Sequence, residues 1–357
     1  MNYKPVLQRF DRQSAQVEVK HWYNGLLLRS TNWLGDALMT LPAAYKISRL
    51  VPEPCGFFVL APAGLAAIWR ACPWVKAVIP MQEKRISSEE IRKVRRLAPG
   101  VALVMPNSFG AALDVYRCKV RQRIGRSGRF RSLLLNHTIP EWPRGENVGK
   151  CHQLSYYLEL ASILGEVALD CQCPPLQVSA EAASQYCIRK QEKWLALAPG
   201  AAFGPAKQWP AQHFRSLAQR WQANGGKIVL VGTKQECAAA SEISAACPKA
   251  LNLVGKSNLE TLMSILGNVD AVVANDSGAM HLAAALGTPG VAVFGSTDPV
   301  ATGPIGAPWQ LLVSNASCRP CFQRQCPLPE SQKYHCLTQI TPEEVFENLK
   351  KVLDCFV

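Results

Sequence analysis

Polar residues with the types needed for phosphate and sugar chemistry follow the apolar run A-V-V-A-N. Asp276-Ser-Gly comes directly after this run, and His281 lies one helical turn later. The start of a helix carries unpaired N–H groups and partial positive charge, so it can bind a phosphate or diphosphate. Gly278 permits close approach to the backbone, His281 can donate to a phosphate or sugar oxygen, and Asp276 can accept from sugar hydroxyls. The structural alternative is that Asp276 and Ser277 only cap the helix and His281 is an interior residue.

A second loop of this kind is L-A-P-G-A-A-F-G-P-A-K-Q-W-P, which also joins an apolar run to a helical pattern. Lys207 is its only charged residue. A lysine at this place can neutralise a phosphate as a point charge, although a solvated surface lysine is the commoner case. Two strand ends suited to anions in one half of the chain favour the functional interpretation.

The third candidate, Asp36, lies in the first half of the chain beside Gly35, where a strand gives way to a helix. A carboxylate at this point can act as a general base on an attacking hydroxyl. The alternative is an acid that only complements the helix dipole. Pro42 predicts a kink in this helix or a short first segment.

The elements that position these residues are short apolar runs that alternate with helical patterns from Gly25 onwards. Apolar strands without polar alternation, joined by helices, indicate parallel sheets covered on both faces. Two such sets indicate two doubly wound α/β domains. We expect a polar extension over residues 1–24, one domain over 25–172, and a second over 173–357. The last helix begins at the cap Thr341, and it could pack back on the first domain.

Composition sets limits on the class of protein. The chain has 357 residues, is 48% hydrophobic, and contains no apolar run long enough for a membrane-spanning helix. Its first 24 residues lack the apolar block of a secretory signal. Fourteen cysteines at irregular spacing are typical of reduced core residues in a cytoplasmic protein. Four of them, Cys318, Cys321, Cys326 and Cys336, could form a metal or redox site or merely a cysteine-rich loop.

Positive charge is concentrated in one segment. The chain carries +13 overall, and residues 84–150 hold fifteen Lys or Arg but five Asp or Glu, which gives +10. Such a concentration attracts nucleic acid, acidic lipid headgroups or an acidic substrate, unless it is only a solvated surface. Nucleic acid is disfavoured because aromatic residues are not interleaved with the cations and no known nucleic-acid motif appears. The candidate anion-binding residues are Arg92, Lys93, Arg95, Arg96, Arg121, Arg123, Arg126, Arg129 and Arg131.

Four blocks of the sequence together resemble the ADP-heptose:lipopolysaccharide heptosyltransferases, glycosyltransferase family 9. They are W-L-G-D-A-L-M-T-L-P at 33–42, M-P-N-S-F-G-A-A-L at 105–113, P-G-A-A-F-G-P-A-K-Q-W-P at 199–210 and N-D-S-G-A-M-H-L-A-A-A-L at 275–286. The last two blocks are fairly specific, whereas L-G-D alone is weak.

The resemblance implies a GT-B fold, in which two Rossmann-like doubly wound domains face each other across a cleft. It implies transfer of a heptose from ADP-heptose to the inner core of lipopolysaccharide, with inversion at the sugar carbon. By position, Asp36 matches the family's proposed catalytic base, and Lys207 matches the lysine that contacts the donor diphosphate. The donor-binding turn matches Asp276, Ser277, Gly278 and His281. If Lys207 and the helix N-terminus hold the diphosphate, no metal or other cofactor is required.

The resemblance also suggests a partner for the basic segment. The acceptor would be an inner-core glycolipid rich in carboxylates and phosphates, embedded in the cytoplasmic leaflet. A positive N-terminal domain would hold this acceptor and contact the anionic membrane surface, so we expect a cytoplasmic protein that is peripheral at the inner membrane. No nucleic-acid partner is expected.

Other functions remain as alternatives. Another nucleotide-sugar transferase or a nucleotide-sugar epimerase would share the architecture, and an inactive scaffold is disfavoured by the joint presence of Asp36, Lys207 and His281. A dinucleotide dehydrogenase is disfavoured because no G-x-G-x-x-G follows a strand. A phosphate-binding NTPase loop is disfavoured because Ala250 occupies the position of its first glycine.

Overall fold

The computed structural model describes residues 3–10, 17–142 and 150–354. The chain divides into two compact units. The N-terminal unit comprises Val6–Gln177, and the C-terminal unit comprises Val178–Val357 together with Met1–Pro5.

The N-terminal unit is built on six strands and the helices that connect them. The strands are β1 (Gly25–Arg29), β2 (Gly56–Pro62), β3 (Ala77–Met81), β4 (Val101–Val104), β5 (Gln122–Arg126) and β6 (His137–Ile139). The helices are α1 (Leu34–Met39), α2 (Leu41–Leu50), α3 (Ala66–Arg70), α4 (Ser88–Leu97), α5 (Phe109–Arg117) and α6 (Leu154–Ala161). The strands form one parallel sheet in the order β3-β2-β1-β4-β5-β6.

The C-terminal unit repeats this plan. Its strands are β7 (Trp194–Ala198), β8 (Lys227–Leu230), β9 (Leu251–Asn252), β10 (Ala271–Asn275), β11 (Gly290–Phe294) and β12 (Trp309–Val313). Its helices are α7 (Glu181–Gln185), α8 (Ala211–Ala223), α9 (Cys237–Ala246), α10 (Leu259–Asn268), α11 (Gly278–Ala285), α12 (Pro299–Thr302), α13 (His335–Thr338) and α14 (Pro342–Asp354). This sheet is also parallel, in the order β12-β11-β10-β7-β8-β9.

The two sheets confirm the predicted doubly wound α/β class. Every residue of β1, β7, β10 and β11 is buried, which explains why these strands lack polar alternation. In each sheet the order of strands reverses at one place, between β1 and β4 in the first and between β7 and β10 in the second. Ligands of open parallel sheets bind beyond the carboxyl ends of the strands at such a switch point. The candidate residues Asp36, Lys207 and Asp276 all follow strands that border a switch point.

The predicted kink near Pro42 is confirmed as a break between two helices. Thr40 ends α1 and precedes α2, and Pro42 lies in the first turn of α2. The missing N–H of proline is tolerated there because first-turn N–H groups have no intrahelical acceptor. The break leaves Asp36 in a short helix of its own, directly after the loop that follows β1.

The two ends of the described chain both contribute to the C-terminal unit. Tyr3 donates its N–H to the carbonyl of Trp309 at 2.9 Å and its hydroxyl to the carbonyl of Pro299 at 3.0 Å. At the other end, α14 begins after Thr341, whose hydroxyl oxygen accepts from the N–H of Glu344. The apolar face of α14 packs in the core of the C-terminal unit, through Val345, Phe346 and Leu349. Among the described residues, no helix is long and apolar enough to cross a membrane.

Candidate active site

The carboxyl ends of β7 and β10 bring Lys207 and Asp276 into direct contact. Lys207 ends a 3-10 turn in the loop after β7, and Asp276 directly follows β10. Lys207 Nζ lies 2.5 Å from Asp276 Oδ2, and both side chains are largely buried. Lys207 Nζ also lies 4.9 Å from the centroid of the Phe203 ring, a cation–π distance. The two neighbouring strand ends therefore place one ammonium group at the switch point of the sheet.

The structure excludes one of the two roles that the sequence suggested for Asp276, that of a helix cap. The N-cap of α11 is Ser277, and no side chain caps this helix, so Asp276 is not its cap. The carboxylate instead accepts from Thr297 Oγ1 at 2.7 Å and pairs with Lys207. The side chain of Asp276 is 4% exposed, and its contacts with Thr297 and Lys207 fix the position of the lysine ammonium group. The sequence did not single out Thr297, which follows the end of the neighbouring strand β11.

The start of α11 holds the remaining residues of the predicted donor turn. Gly278 is the first residue of the helix, and His281 follows one turn later with 5% of its surface exposed. The hydroxyl oxygen of Ser277 is buried and has no hydrogen-bond partner within the described parts of the chain. Buried hydroxyls are usually hydrogen-bonded, so this oxygen is available to a ligand at the helix N-terminus.

Asn275 fixes the two strand-end loops to each other. This fully buried residue is the last of β10. Its side-chain amide donates to the carbonyl of Pro199 at 2.7 Å, and its side-chain oxygen accepts from the N–H of Trp209 at 2.9 Å. It therefore clamps both ends of the loop that carries Lys207. A polar residue that ends a buried apolar strand was the signal for this role in the sequence.

The cysteine-rich segment 318–336 packs behind the same loops. The carbonyl of Arg324 accepts from the N–H of Ala206 at 3.2 Å, and Arg319 Nη2 donates to the carbonyl of Thr297 at 3.0 Å. Gly204 has a φ of +148°, and a Cβ added there would lie 2.5 Å from the Arg324 carbonyl oxygen. Only glycine therefore allows this approach. The segment supports the loop of Lys207 and the turn of Thr297 from outside the sheet.

The four cysteines of this segment lie around one small cavity. Cys318, Cys321, Cys326 and Cys336 line it together with Ser296. Burial, and then the neighbouring thiols, raise the pKa of the Cys336 thiol to about 12. The cysteines are free, and among the described residues no group of three or more His, Cys, Asp or Glu side chains is placed to hold a metal ion.

Asp36 lies in the first turn of α1, in the N-terminal unit. Burial raises its pKa above the ordinary value of an aspartate, and a hydrogen bond with the side chain of Gln153 opposes that rise. A raised pKa suits a general base, because proton transfer is most efficient when the pKa of the base approaches the working pH. Gln153 also donates to the hydroxyl of Tyr157 at 3.0 Å, and Tyr157 is buried. Nothing in the local sequence marks Gln153, because it lies far along the chain from Asp36.

The loop between β1 and α1 is held by a buried ion pair. Arg29, the last residue of β1, is 2% exposed. Its Nε lies 3.4 Å from Asp114 Oδ2, and its Nη2 donates to Asn32 Oδ1 at 3.0 Å. A buried charge is tolerated only when it is paired and hydrogen-bonded. The pair therefore fixes the start of the loop that leads to Asp36.

Two of the nine candidate anion-binding residues are not available to an anionic partner, because they are buried. Arg126 and Arg131 are fully buried. Arg126 donates to the carbonyl of Tyr156 at 2.6 Å and to Glu159 Oε2 at 2.5 Å. These two arginines stabilise the carboxyl end of β5 rather than an anionic ligand. The other seven are exposed or half-buried.

Two doubly wound sheets with polar side chains at each switch point define an α/β protein of the class whose ligands bind beyond the carboxyl ends of the strands. Comparison with known proteins agrees with this class. Residues 90–332 match the model of glycosyltransferase family 9 (heptosyltransferase). The chain is 30% identical to lipopolysaccharide heptosyltransferase 2 of Salmonella typhimurium, over 92% of this chain and 98% of that protein. It therefore belongs to glycosyltransferase family 9.

Further relatives share both sequence and fold. Lipooligosaccharide heptosyltransferase 2 of Haemophilus influenzae is 30% identical over 78% of this chain and 86% of that protein. The solved structure of the E. coli ADP-heptose lps heptosyltransferase II is 27% identical and superposes with a TM-score of 0.76. The match covers 93% of this chain and 99% of that one. The predicted GT-B fold is thus confirmed, and a glycosyltransferase replaces the epimerase, dehydrogenase and NTPase alternatives.

Proposed function

We propose that this chain transfers a heptose from ADP-heptose to the inner core of lipopolysaccharide, with inversion at the sugar carbon. The observation that carries the proposal is the buried contact of Lys207 with Asp276 at the switch point of the second sheet. Relatives named lipopolysaccharide heptosyltransferase 2 and ADP-heptose lps heptosyltransferase II support this choice of donor and acceptor.

In the proposed donor site, two features hold the diphosphate of ADP-heptose. Lys207 supplies an ammonium group that is also paired with Asp276, and the N–H groups at the start of α11 supply oriented dipoles. Ser277 Oγ and His281 contribute further donors to phosphate or sugar oxygens. This arrangement stabilises the charge that develops on the departing ADP. With the charge neutralised by the protein, the proposed reaction requires no metal or other cofactor.

In the proposed reaction, Asp36 acts as the general base. It takes the proton from the acceptor hydroxyl while that oxygen attacks the sugar carbon on the face opposite the leaving ADP, which gives inversion. Its raised pKa supports this role, because the carboxylate is a stronger base than an exposed aspartate. The loop held by Arg29 and Asp114 positions the base.

The hydrogen bond from Gln153 gives a test of this role through pH. Replacing Gln153 by alanine removes the contact that lowers the pKa of Asp36, so that pKa should rise further. A general base works only when deprotonated, and activity is lost as the pH falls through its pKa. The acidic limb of the kcat/KM profile should therefore move to higher pH.

The control for this experiment is Gln82→Ala, which removes an exposed glutamine from the same unit. Its acidic limb should coincide with that of the wild type. A Gln153→Ala profile that stays in place or moves to lower pH would show that the limb does not report Asp36.

The acceptor in this proposal is an acidic glycolipid of the inner membrane. The exposed cations of the N-terminal unit attract its carboxylates and phosphates and the anionic lipids around it. The protein would then act on the cytoplasmic face of the membrane as a peripheral enzyme. The net charge of +10 in residues 84–150 supports this role.

A donor screen tests the proposed function. Titration calorimetry with ADP, UDP and GDP, followed by transfer assays with the matching nucleotide sugars, should show preference for ADP and turnover of ADP-heptose. Exclusive binding of UDP or GDP would indicate another nucleotide-sugar transferase on the same fold.

A further inference from the structure

The turn that follows β5 exposes two large apolar side chains. Phe130 is 80% exposed and Leu133 is 78% exposed. They flank a single 3-10 turn, in which the N–H of Leu133 donates to the carbonyl of Phe130 at 3.3 Å. The two exposed side chains are therefore only three residues apart on one short turn. We call residues 129–133 the apolar tip.

The backbone of the apolar tip is strained, and a buried cation holds it. Arg129 and Phe130 have φ values of +52° and +59°, which are unfavourable for residues with a side chain. Arg131, directly after them, is fully buried. It donates to the carbonyl of Ser127 at 2.7 Å and to Asn107 Oδ1 at 2.9 Å. The buried guanidinium thus fixes the turn with Phe130 and Leu133 outward, so their exposure belongs to the fold.

The apolar tip lies at the same edge of the N-terminal sheet as the candidate base. It follows the carboxyl end of β5, and the loop to Asp36 follows the carboxyl end of β1 in the same parallel sheet. That loop also exposes Trp33, at 72%. The edge that carries Asp36 therefore presents three large apolar side chains to solvent, which is unusual for a surface without a partner.

The charge around the tip indicates which partner it meets. Arg129 is exposed within the tip, and Lys84 is exposed after β3 at the same edge of the sheet. Apolar side chains beside cations are the pattern of proteins that lie in the interface of an anionic bilayer. A second copy of the chain fits less well, because each copy carries +13 and two copies repel each other.

We infer that Phe130 and Leu133 insert into the headgroup region of an anionic bilayer and turn the Asp36 edge of the N-terminal unit towards the membrane. This inference rests on the proposed function, which supplies a membrane-embedded glycolipid acceptor. Insertion at this edge brings the base to the side from which such an acceptor must arrive.

A second surface that could dock on an anionic membrane lies at the amino end of β5. A groove between α4 and α5 is lined by Arg92, Arg95, Arg117, Lys119, Arg121 and Arg123. Several of these cations are bound internally: Arg95 donates to the carbonyl of Arg117 at 2.8 Å, and Arg123 donates to that of Leu134 at 2.6 Å. Docking through the groove would turn the Asp36 edge away from the lipid. Docking through the apolar tip and docking through the groove therefore predict opposite orientations of the Asp36 edge relative to the membrane.

Vesicle co-sedimentation of the full chain decides between them. The double variant Phe130→Ser/Leu133→Ser should bind vesicles of phosphatidylglycerol and phosphatidylcholine about tenfold more weakly than the wild type, because two buried apolar side chains are lost. The matched control Leu169→Ser/Val313→Ser, which changes two apolar residues of lower exposure elsewhere, should bind like the wild type. Arg92→Glu/Lys119→Glu tests the groove and should retain most of the binding.

Three results would overturn the inference. In the first, the tip variant binds vesicles as strongly as the wild type does. In the second, only the groove variant loses binding. In the third, the wild type itself does not bind anionic vesicles. ADP affinity and transfer to a water-soluble inner-core oligosaccharide, measured on the same tip variant, should stay unchanged. Absence of heptose transfer by the wild type would contradict the proposed function. Vesicle binding would still show whether the apolar tip inserts into the bilayer.

Discussion

Replacing Asp36 by asparagine is expected to lower turnover by about 10²–10⁴-fold, the usual contribution of a general base, while the affinity for ADP stays unchanged. Asparagine has nearly the same shape, can keep a hydrogen bond with Gln153, and cannot take up a proton at neutral pH. Asp36 belongs to the N-terminal unit, whereas the proposed diphosphate ligands belong to the C-terminal unit. Initial rates with saturating ADP-heptose and calorimetry with ADP separate the two effects.

The matched control for this substitution is Asp170→Asn, which removes a carboxylate from the surface of the same unit. Asp170 pairs with Lys46 at 2.5 Å, and its side chain is 39% exposed. The Lys46 side chain is 11% exposed, but it also donates to the carbonyl of Gln172 at 3.4 Å and can donate to the oxygen of the new asparagine. The control should therefore fold and turn over normally. A near-normal rate for Asp36→Asn would remove the base assignment, and a parallel loss of ADP binding would point to a structural role.

The architecture of both units was predictable because the apolar pattern of each segment matches the burial of that segment in the fold. Strands buried on both faces must be largely apolar. β7 and β11 are apolar throughout, and β1 and β10 are apolar up to their last residues, Arg29 and Asn275. Parallel strands need connecting helices, which fixes the alternation along the chain. The break at Thr40 was also predictable, because the effect of Pro42 on its helix is local.

Positions at the carboxyl ends of strands were predictable for the same reason, but the contacts made there were not. Asp276 and Lys207 meet because β7 and β10 are neighbours in the sheet, and strand order is a tertiary property. Thr297 reaches Asp276 from a third strand end. Gln153 reaches Asp36 from a helix far along the chain. The sequence could therefore name candidate residues for a site, but it could not show that the carboxylate of Asp276 is paired with Lys207.

The basic segment shows where a compositional argument fails. Arginine is rarely fully buried, so a run of arginines predicts a surface. Arg126 is nevertheless buried, because Glu159, the carbonyl of Tyr156 and the face of the Tyr156 ring surround its guanidinium. These partners lie about thirty residues later in the chain, where nothing in the local sequence marks them. The net charge predicts that the partner of this unit is anionic. Only the structure shows which of the cations are exposed and can contact that partner.

Replacing Lys207 by alanine is expected to weaken ADP binding by about a hundredfold. A hydrogen bond to a charged group contributes about 1.5–3 kcal/mol, and about 1.4 kcal/mol corresponds to tenfold in affinity. The variant also leaves the carboxylate of Asp276, which is 4% exposed, without its cation and close to the diphosphate. Calorimetry with ADP measures the loss, and a thermal melt reports how much the unpaired carboxylate destabilises the fold. Lys249→Ala, which removes an exposed lysine from the same unit, is the control and should bind ADP normally.

The double variant Lys207→Ala/Asp276→Asn separates the two parts of that loss. Asparagine keeps an oxygen that can accept from Thr297 but carries no charge, so the repulsion between Asp276 and the diphosphate disappears. If Asp276 acts only by orienting Lys207, the double variant should bind ADP more tightly than the single variant, and the two substitutions should be non-additive, as expected for residues in contact. Weaker binding by the double variant would mean that Asp276 contacts the donor itself. Unchanged ADP affinity in the single variant would remove Lys207 from the site, because a cation this close to the switch point cannot hold a diphosphate without contributing to its affinity.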